Sequence, residues 1–213
     1  MVVVKFCPSS FTHQEQETVE ISADIDQLTD QLTIRPVKPT DLKNLCEVLA
    51  NCFYSSEGLM AWAYPLLKLG IYEDLRSRLR SPGSHYLCLV ALVSMGGDKS
   101  NTNVSGTVEM TLRSASPTMG SVKRPYIANL AVGKPYRRRG IASKLLKHCE
   151  RTAQSWGFTE IYLHVLDNNS QARQLYGNCG YHLYRVESSY LGDLWGRPKR
   201  LLLHKIIIDN PPS

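Results

Sequence analysis

The hydrophobic pattern of this chain predicts an α/β (α+β) fold, with a mixed β-sheet and helices on both faces. Three observations lead to this prediction. Apolar segments of strand length recur along the chain, and two of them flank a polar turn as in a β-hairpin. The apolar segment that ends at Val132 is followed by an amphipathic helix and a second apolar segment that ends at Leu166, the order of a parallel crossover. The predicted order is strand, two helices, three strands, helix, strand, helix and two strands.

The first half of the domain is predicted to contain a strand, two helices and a hairpin. Residues 33–37 alternate like an edge strand, and Pro39-Thr40-Asp41 provides an N-cap for a helix. That helix carries apolar residues at helical spacing, at Leu42, Leu45, Val48 and Leu49. A second helix is predicted between residues 59 and 79. Residues 86–94 predict a central strand, and the polar turn at 96–103 leads to its partner at 104–112.

The second half contains the crossover and the last strands. Residues 126–132 predict a strand, and residues 140–156 a helix that Gly157 ends. The apolar stripe of that helix repeats every four residues, at Ile141, Leu145, Cys149 and Ala153. Strands are predicted at 159–166, 180–186 and 201–208, with a short helix at 171–177.

Charge divides the chain into an acidic arm and a basic domain. We expect residues 1–32 to form a flexible acidic N-terminal arm, residues 33–208 one domain and residues 209–213 a short tail. The arm holds six acids and one lysine, a net charge of −5. Because the whole chain has a net charge of +6, the remainder carries +11. A basic domain suits a ligand with several phosphates, and general solubility is the alternative reason. The arm has no arginine and does not resemble a transit peptide, which favours the cytoplasm over the plastid stroma.

Cysteine usage and hydropathy limit the classes of site. The six cysteines form no C-x-x-C pair, and several lie in apolar segments where a reduced thiol acts as a small hydrophobe. We therefore expect neither a disulfide framework nor a metal. The apolar stretches, such as residues 87–93, are of strand length, so no membrane association is expected.

The most informative motif is Tyr136-Arg137-Arg138-Arg139-Gly140-Ile141-Ala142, between an apolar strand and an amphipathic helix. First-turn N–H groups lack intrahelical partners and carry the positive end of the helix dipole, so this turn can hold a diphosphate. Gly140 allows close approach, and the arginines add positive charge. A solvated helix start and a nucleic-acid contact are the alternatives. The chain lacks the aromatic platforms that nucleic-acid surfaces use, so we expect no nucleic-acid partner.

Two motifs together resemble the GCN5-related N-acetyltransferase (GNAT) family. The first is Arg-x-x-Gly-x-Ala from Arg137 to Ala142, and the second is the segment 169–176, Asn-Ser-Gln-Ala-Arg-Gln-Leu-Tyr, followed by Gly180-Tyr181. The resemblance covers roughly residues 33 to 208. It implies a GNAT-like mixed, mostly antiparallel sheet of about six to seven strands, with helices on both faces and a splayed parallel pair that holds the cofactor. It also implies acetyl-CoA as co-substrate.

The resemblance assigns cofactor contacts to the strand end, the loop and the short helix. These are Leu130, Ala131, Val132, Arg137, Arg138, Arg139, Gly140, Ile141, Ala142, Ser143, Asn169, Ala172 and Tyr176. The backbone near Leu130 is expected to pair with the pantetheine arm, and an amide there to polarise the thioester oxygen. Tyr176 is expected to protonate the coenzyme sulfur, with a purely core role as the alternative.

The acceptor half resembles the branch of the family that acetylates protein amino termini. Pro125-Tyr126-Ile127 and the segment 161–165, Ile-Tyr-Leu-His-Val, carry this likeness. In that branch a tyrosine and a histidine hold a water that deprotonates the amine, which makes Tyr126 and His164 the candidate base. A hydrogen-bonded core histidine is the alternative. Glu109 is the reserve base, and its alternative is an ordinary solvent-facing strand residue.

The stretch 188–198 is too long for a tight hairpin. The resemblance implies that it forms one wall of a peptide slot, with Tyr190 and Trp195 on it and Phe53 and Tyr54 opposite. We expect acetyl-CoA-dependent transfer to α-amino groups of proteins or peptides, with lysines as a second acceptor class, by direct attack in a ternary complex. The alternatives are a small-molecule amine acetyltransferase and a non-catalytic acyl-CoA-binding regulatory protein. The oligomeric state is left open.

Overall fold

Seven strands pair into one mixed sheet in the structure, a computed structural model that describes residues 32–53, 64–81, 83–94, 102–114, 122–187 and 198–208. The strands are β1 (Leu32–Pro36), β2 (Tyr86–Ser94), β3 (Thr102–Arg113), β4 (Arg124–Val132), β5 (Glu160–Leu166), β6 (His182–Glu187) and β7 (Arg200–Ile206). The helices are α1 (Leu42–Phe53), α2 (Tyr64–Arg80), α3 (Ile141–Ser155) and α4 (Ser170–Asn178). This element order confirms the predicted one. Of the arm expected at residues 1–32, residues 1–31 lie outside the described residues, and Leu32 is instead the first residue of β1. The tail at 209–213 also lies outside the described residues.

The strand order is β1-β2-β3-β4-β5-β7-β6. All neighbouring pairs are antiparallel except β4 and β5, which are parallel because α3 crosses over between them. The expected fold class, a mostly antiparallel mixed sheet with one parallel pair, is confirmed.

Both faces of the central strands are covered, so β2 is nearly continuous in apolar residues. Its residues Leu89, Ala91 and Val93 share a core with the apolar stripe of α3 and with Tyr176 of α4. The alternate residues of β2 share a second core with Leu45 and Leu49 of α1 and Leu75 of α2. The sheet therefore separates an α3/α4 face from an α1/α2 face.

Left-handed glycines flank α3. Gly140 precedes the helix with φ 72°, and Gly157 follows it with φ 84°. Both values lie where residues with a Cβ are strained. The stripe of Ile141, Leu145, Cys149 and Ala153 is fully buried, as the spacing predicts. Pro65 lies in the first turn of α2, where its missing N–H is tolerated. Residue 59, the predicted start of that helix, lies outside the described residues.

Strand β4 contains a bulge where it leaves β5. Residue Glu109 of β3 pairs with Ala128 and Thr107 pairs with Ala131, so one residue of β3 faces Asn129 and Leu130 together. Asn129 has a φ of 53°, a left-handed value that asparagine tolerates. The bulge bends β4 away from the line of its parallel neighbour.

The described cysteines are unpaired. Cys46, Cys52, Cys88 and Cys149 are buried and Cys179 is partly buried, and Cys7 lies outside the described residues. No helix in the described part of the chain is long and apolar enough to cross a membrane.

Candidate active site

The site begins at an opening between β4 and β5. These strands pair only at Tyr126 with Tyr162 and at Ile127 with Leu163, although β4 continues to Val132. Beyond Ile127 the backbone of β4 is paired on its β3 side alone. A splayed parallel pair is thus present, as the GNAT resemblance implied.

The loop after β4 leads directly into α3. The amide of Gly133 donates to Ser105 O at 2.9 Å, and a single 3₁₀ turn at Lys134–Tyr136 follows. Arg138 then adopts a φ of 64°, and Gly140 occupies the N-cap position of α3. Because the N-cap is glycine, no side chain accepts the first-turn amides there. Those amides and the helix dipole form a positively polarised concavity.

A cavity of about 300 Å³ lies against this loop. It is lined by Val132, Tyr136, Arg137, Arg138, Gly140, Ile141, Ala142, Ser143, Gln171, Gln174, Leu175 and Asn178. The structure therefore brings seven of the predicted cofactor residues together, those at 132, 137, 138 and 140–143. A Cβ atom added at Gly140 would meet no atom within 4 Å, so the space beside the start of α3 is open to a ligand.

The three arginines of the loop differ in their contacts. Arg137 donates from Nε to Val132 O at 3.1 Å, and its Nη2 lies 3.8 Å from Sγ of Cys52. This arginine braces the loop against β4 and α1 as well as lining the cavity. Arg139 instead lies over the ring of Tyr136, with 5.7 Å from Cζ to the ring centroid, and is not a lining residue.

Five other predicted cofactor residues lie outside the cavity lining. Leu130 and Ala131 are buried in β4, beside the opening. Asn169 is the N-cap of α4, where its Oδ1 accepts the amide of Ala172 at 3.1 Å. Ala172 and Tyr176 are buried in the core of the α3/α4 face. Their contacts to a coenzyme stay predictions.

Sequence reasoning missed five lining residues, Tyr136, Gln171, Gln174, Leu175 and Asn178. Four of them lie on α4 at offsets of three and four, so helical spacing could have identified this face. It also missed Gly106 of β3. A Cβ there would lie 3.0 Å from Ala131 O and 3.3 Å from Cγ2 of Ile141, so this glycine lets β3 approach the head of α3. A glycine inside a strand is the signal for such an approach.

Tyr126 and His164 meet on the α1/α2 face of the sheet. The distance from Tyr126 Oη to His164 Nδ1 is 2.7 Å, a direct hydrogen bond. On the other side of the ring, Nε2 lies 3.0 Å from Glu187 Oε2. Arg200 lies 3.9 Å from the same carboxylate oxygen. Sequence reasoning missed Glu187 and Arg200.

This environment sets the protonation of the pair. Burial, followed by the positive charge of Arg200, lowers the pKa of His164, and Glu187 opposes that shift. Burial raises the pKa of Tyr126. At neutral pH the imidazole is therefore neutral and the phenol protonated. Because the Glu187 carboxylate lies 3.0 Å from Nε2, the tautomer with its proton on Nε2 is favoured, and the phenol donates to Nδ1. The ring is ready to accept a proton from that direction.

Tyr176 lies in the core of the α3/α4 face, on the opposite side of the sheet from Tyr126. It is 1% exposed and contacts Tyr181 at 6.0 Å between ring centroids. Burial raises the pKa of its phenol. A phenol held protonated suits a proton donor, although its assignment as the acid stays a prediction.

Glu109, the reserve base, is buried, so its alternative interpretation as a solvent-facing strand residue is wrong. The residue is 1% exposed because β3 is covered on both faces. Its carboxylate accepts from Arg78, Tyr86 and Asn129. With its acceptor positions occupied, it is poorly placed to take a proton from a substrate amine.

The predicted acceptor residues cannot be compared with the structure. Tyr54, Tyr190 and Trp195 lie outside the described residues, as does the side chain of Phe53. Within the described ranges, no group of three or more His, Cys, Asp or Glu side chains is arranged to hold a metal ion.

The chain is similar in sequence to known proteins. Residues 45–181 match the family described as the acetyltransferase (GNAT) family. GCN5-related N-acetyltransferase 10, chloroplastic, of Arabidopsis thaliana is 32% identical over 158 residues, covering 72% of this chain and 57% of that protein. N-alpha-acetyltransferase 50 of Danio rerio is 38% identical over 69 residues, covering 32% of this chain and 41% of that protein. The chain thus spans about half the length of these relatives.

A solved structure shares the fold. The PaiA N-acetyltransferase from Thermoplasma acidophilum in complex with coenzyme A matches with a TM-score of 0.55 and 20% identity, covering 82% of this chain and 98% of that one.

Proposed function

The chain belongs to the acetyltransferase (GNAT) family, and on that premise we propose that it transfers the acetyl group of acetyl-CoA to α-amino groups of proteins or peptides. The observation that carries this proposal is the Tyr126–His164 pair at 2.7 Å, next to the opening between β4 and β5. The cavity at the head of α3 lies on the other side of that opening. A ligand that threads the opening would reach both.

The cavity residues fit a coenzyme A diphosphate. The uncapped first turn of α3, the open space beside Gly140 and the cation of Arg138 together favour an anion. Amide side chains of Gln171, Gln174 and Asn178 on α4 offer donors and acceptors to the pantetheine arm. The unpaired side of β4 near Leu130 offers backbone groups to the same arm.

Acetyl-CoA supplies a thioester whose carbonyl carbon accepts the amine nitrogen as the carbon–sulfur bond breaks. Tyr126 Oη accepts a proton from the amine, directly or through a water, and donates its own phenolic proton to His164 Nδ1. Tyr176 supplies the proton that the sulfur takes, and exchange with solvent restores both groups. The amine loses one proton and the thiol gains one, so the transfer is balanced.

The basicity of the acceptor favours an α-amine. A peptide α-amine has a pKa of about 8, whereas a lysine near 10.4 costs roughly 4 kcal/mol to deprotonate at pH 7.5. A buried imidazole with a lowered pKa is a modest base, and so it suits the more acidic amine. The relative described as N-alpha-acetyltransferase 50 supports the same class. Lysine is the second acceptor class of the proposal.

The compartment we propose is the plastid stroma. The Arabidopsis relative that aligns with 72% of this chain is described as chloroplastic. This supports the plastid over the cytoplasm that the composition of the arm favoured.

Acetylation of matched peptides tests the proposal. Each peptide carries one lysine and is made with its amino terminus either unmodified or blocked, and acetylation by acetyl-CoA is located by mass spectrometry. We expect transfer to the unmodified terminus, with slower transfer or none to lysine. Transfer to lysine alone, or only to small amines such as polyamines, would overturn the α-amine assignment. Coenzyme binding without transfer to any amine would support a regulatory acyl-CoA-binding protein instead.

A further inference from the structure

A buried carboxylate links three elements on the α1/α2 face of the sheet. Glu109 of β3 accepts from Nη1 of Arg78 at 3.0 and 3.2 Å and from Oη of Tyr86 at 2.6 Å. It also accepts from Nδ2 of Asn129. These partners lie on α2, β2 and β4, and sequence separations of 20 to 31 residues divide them from Glu109. A buried charge with this many donors is costly to disturb, which makes the cluster a fixed point.

Asn129 is the member of this cluster that lies in the bulge of β4. It is 7% exposed, its φ is 53°, and it shares with Leu130 the place opposite one residue of β3. A bulge redirects the backbone that follows it. Here the pairing with β5 ends at Ile127, two residues before Asn129, and the opening begins. The side-chain amide of Asn129 therefore ties the redirected backbone to the carboxylate.

We propose that Glu109, acting through Asn129, is a positioning residue that fixes the Leu130 amide at the opening between β4 and β5. The inference rests on the proposed function, in which a backbone amide near Leu130 polarises the thioester oxygen. Such a donor works only when it is held in place before the reaction, because an amide that must reorient loses its electrostatic advantage. A shift of about 1 Å at a reacting centre costs on the order of a hundredfold in rate.

The same geometry separates this role from base catalysis. Each carboxylate oxygen of Glu109 accepts two hydrogen bonds. Oε1 accepts from Arg78 and Tyr86, and Oε2 accepts from Arg78 and Asn129. No acceptor site is left for an amine proton. Loss of the hydrogen bond between Asn129 and Glu109 should therefore lower turnover, because the Leu130 amide is misplaced. It should not weaken coenzyme binding at the head of α3.

Asn129→Gly and Tyr86→Phe form a matched pair of tests. Glycine keeps the left-handed backbone but removes the link to Glu109. Tyr86→Phe removes one hydrogen bond from the same carboxylate and leaves Asn129 untouched. We expect Asn129→Gly to lower kcat about ten- to a hundredfold, with the Kd for coenzyme A unchanged within about twofold, and Tyr86→Phe to keep kcat within about threefold while lowering Tm.

An NMR measurement of the Leu130 amide makes the test independent of turnover. We expect its chemical shift to change in Glu109→Gln, which leaves residue 129 and its peptide bond to Leu130 unaltered, and to stay close to wild type in Tyr86→Phe. Wild-type kcat in Asn129→Gly together with an unmoved Leu130 amide in Glu109→Gln would overturn the inference, as would an equal loss of kcat in Asn129→Gly and Tyr86→Phe. If the wild-type protein acetylates no amine, the proposed function fails, while the amide shift still decides whether Glu109 positions Leu130.

Discussion

Replacing Gly140 with alanine should have two separable effects, a lower stability and a weaker binding of the coenzyme. Gly140 has a φ of 72°, where a residue with a Cβ is strained by roughly 1–2 kcal/mol. The added methyl group meets no protein atom within 4 Å, so it enters the space that we assign to the diphosphate. The strain lowers stability, whereas the occupied space lowers affinity.

Gly157 provides a matched control at the other end of α3. Its φ is 84°, and a Cβ there also meets nothing within 4 Å, but it is not among the cavity residues. Both alanine variants should therefore lose roughly 1–2 kcal/mol, or about 2–8 °C in Tm for a chain of this size. Only Gly140→Ala should also lose a charge-assisted hydrogen bond to phosphate, about 1.5–3 kcal/mol, or roughly a 10- to 150-fold rise in Kd.

Thermal unfolding and isothermal titration with coenzyme A measure the two effects. We expect similar Tm losses in the two variants and a higher Kd in Gly140→Ala alone. If Gly140→Ala binds as tightly as Gly157→Ala, the diphosphate does not lie at the head of α3.

Three further predictions concern the proton path and the packing of β3. With saturating peptide, the decrease of kcat at acid pH should have its midpoint below pH 6.5. The reason is that the neutral form of His164 is the base, and burial and Arg200 lower its pKa. Arg200→Gln should move that midpoint to higher pH and Glu187→Gln to lower pH; a shift of both in one direction would contradict the electrostatic assignment. Tyr176→Phe should lower kcat about a hundredfold and leave the Kd for coenzyme A unchanged within about twofold; the reverse pattern in stopped-flow and binding data would assign Tyr176 to the core alone. Gly106→Ala should cost about 1–3 kcal/mol in urea unfolding, because its Cβ would lie 3.0 Å from Ala131 O, and an unchanged midpoint would show that β3 has room for it.

The order of elements and the loop that lines the cavity before α3 could be predicted because both depend on local patterns. The apolar stripe of α3 repeats every four residues, and the glycine and arginines before it mark a helix start with an open approach. The Tyr126–His164 contact was predicted through a family resemblance rather than through spacing. Its direct 2.7 Å hydrogen bond is a detail that only the packed strands provide.

Contacts that cross several strands could not be predicted. Glu109 lies between Val108 and Met110, an alternation that normally indicates one solvent-facing residue. Because β3 is central and covered on both faces, the carboxylate is instead buried among partners from α2, β2 and β4. Glu187 lies on β6 and His164 on β5, and β7 lies between these two strands because β6 pairs with β7 and not with β5. The Glu187 side chain therefore contacts His164 across β7. Neither relation leaves a trace in sequence spacing.

Amide NMR during titration with coenzyme A tests most directly whether the first turn of α3 binds the diphosphate. We predict that the amides of Ile141, Ala142 and Ser143 shift in proportion to occupancy, whereas the amide of Gly157 at the far end of the same helix does not. Saturable coenzyme binding with those three amides unmoved would contradict the account.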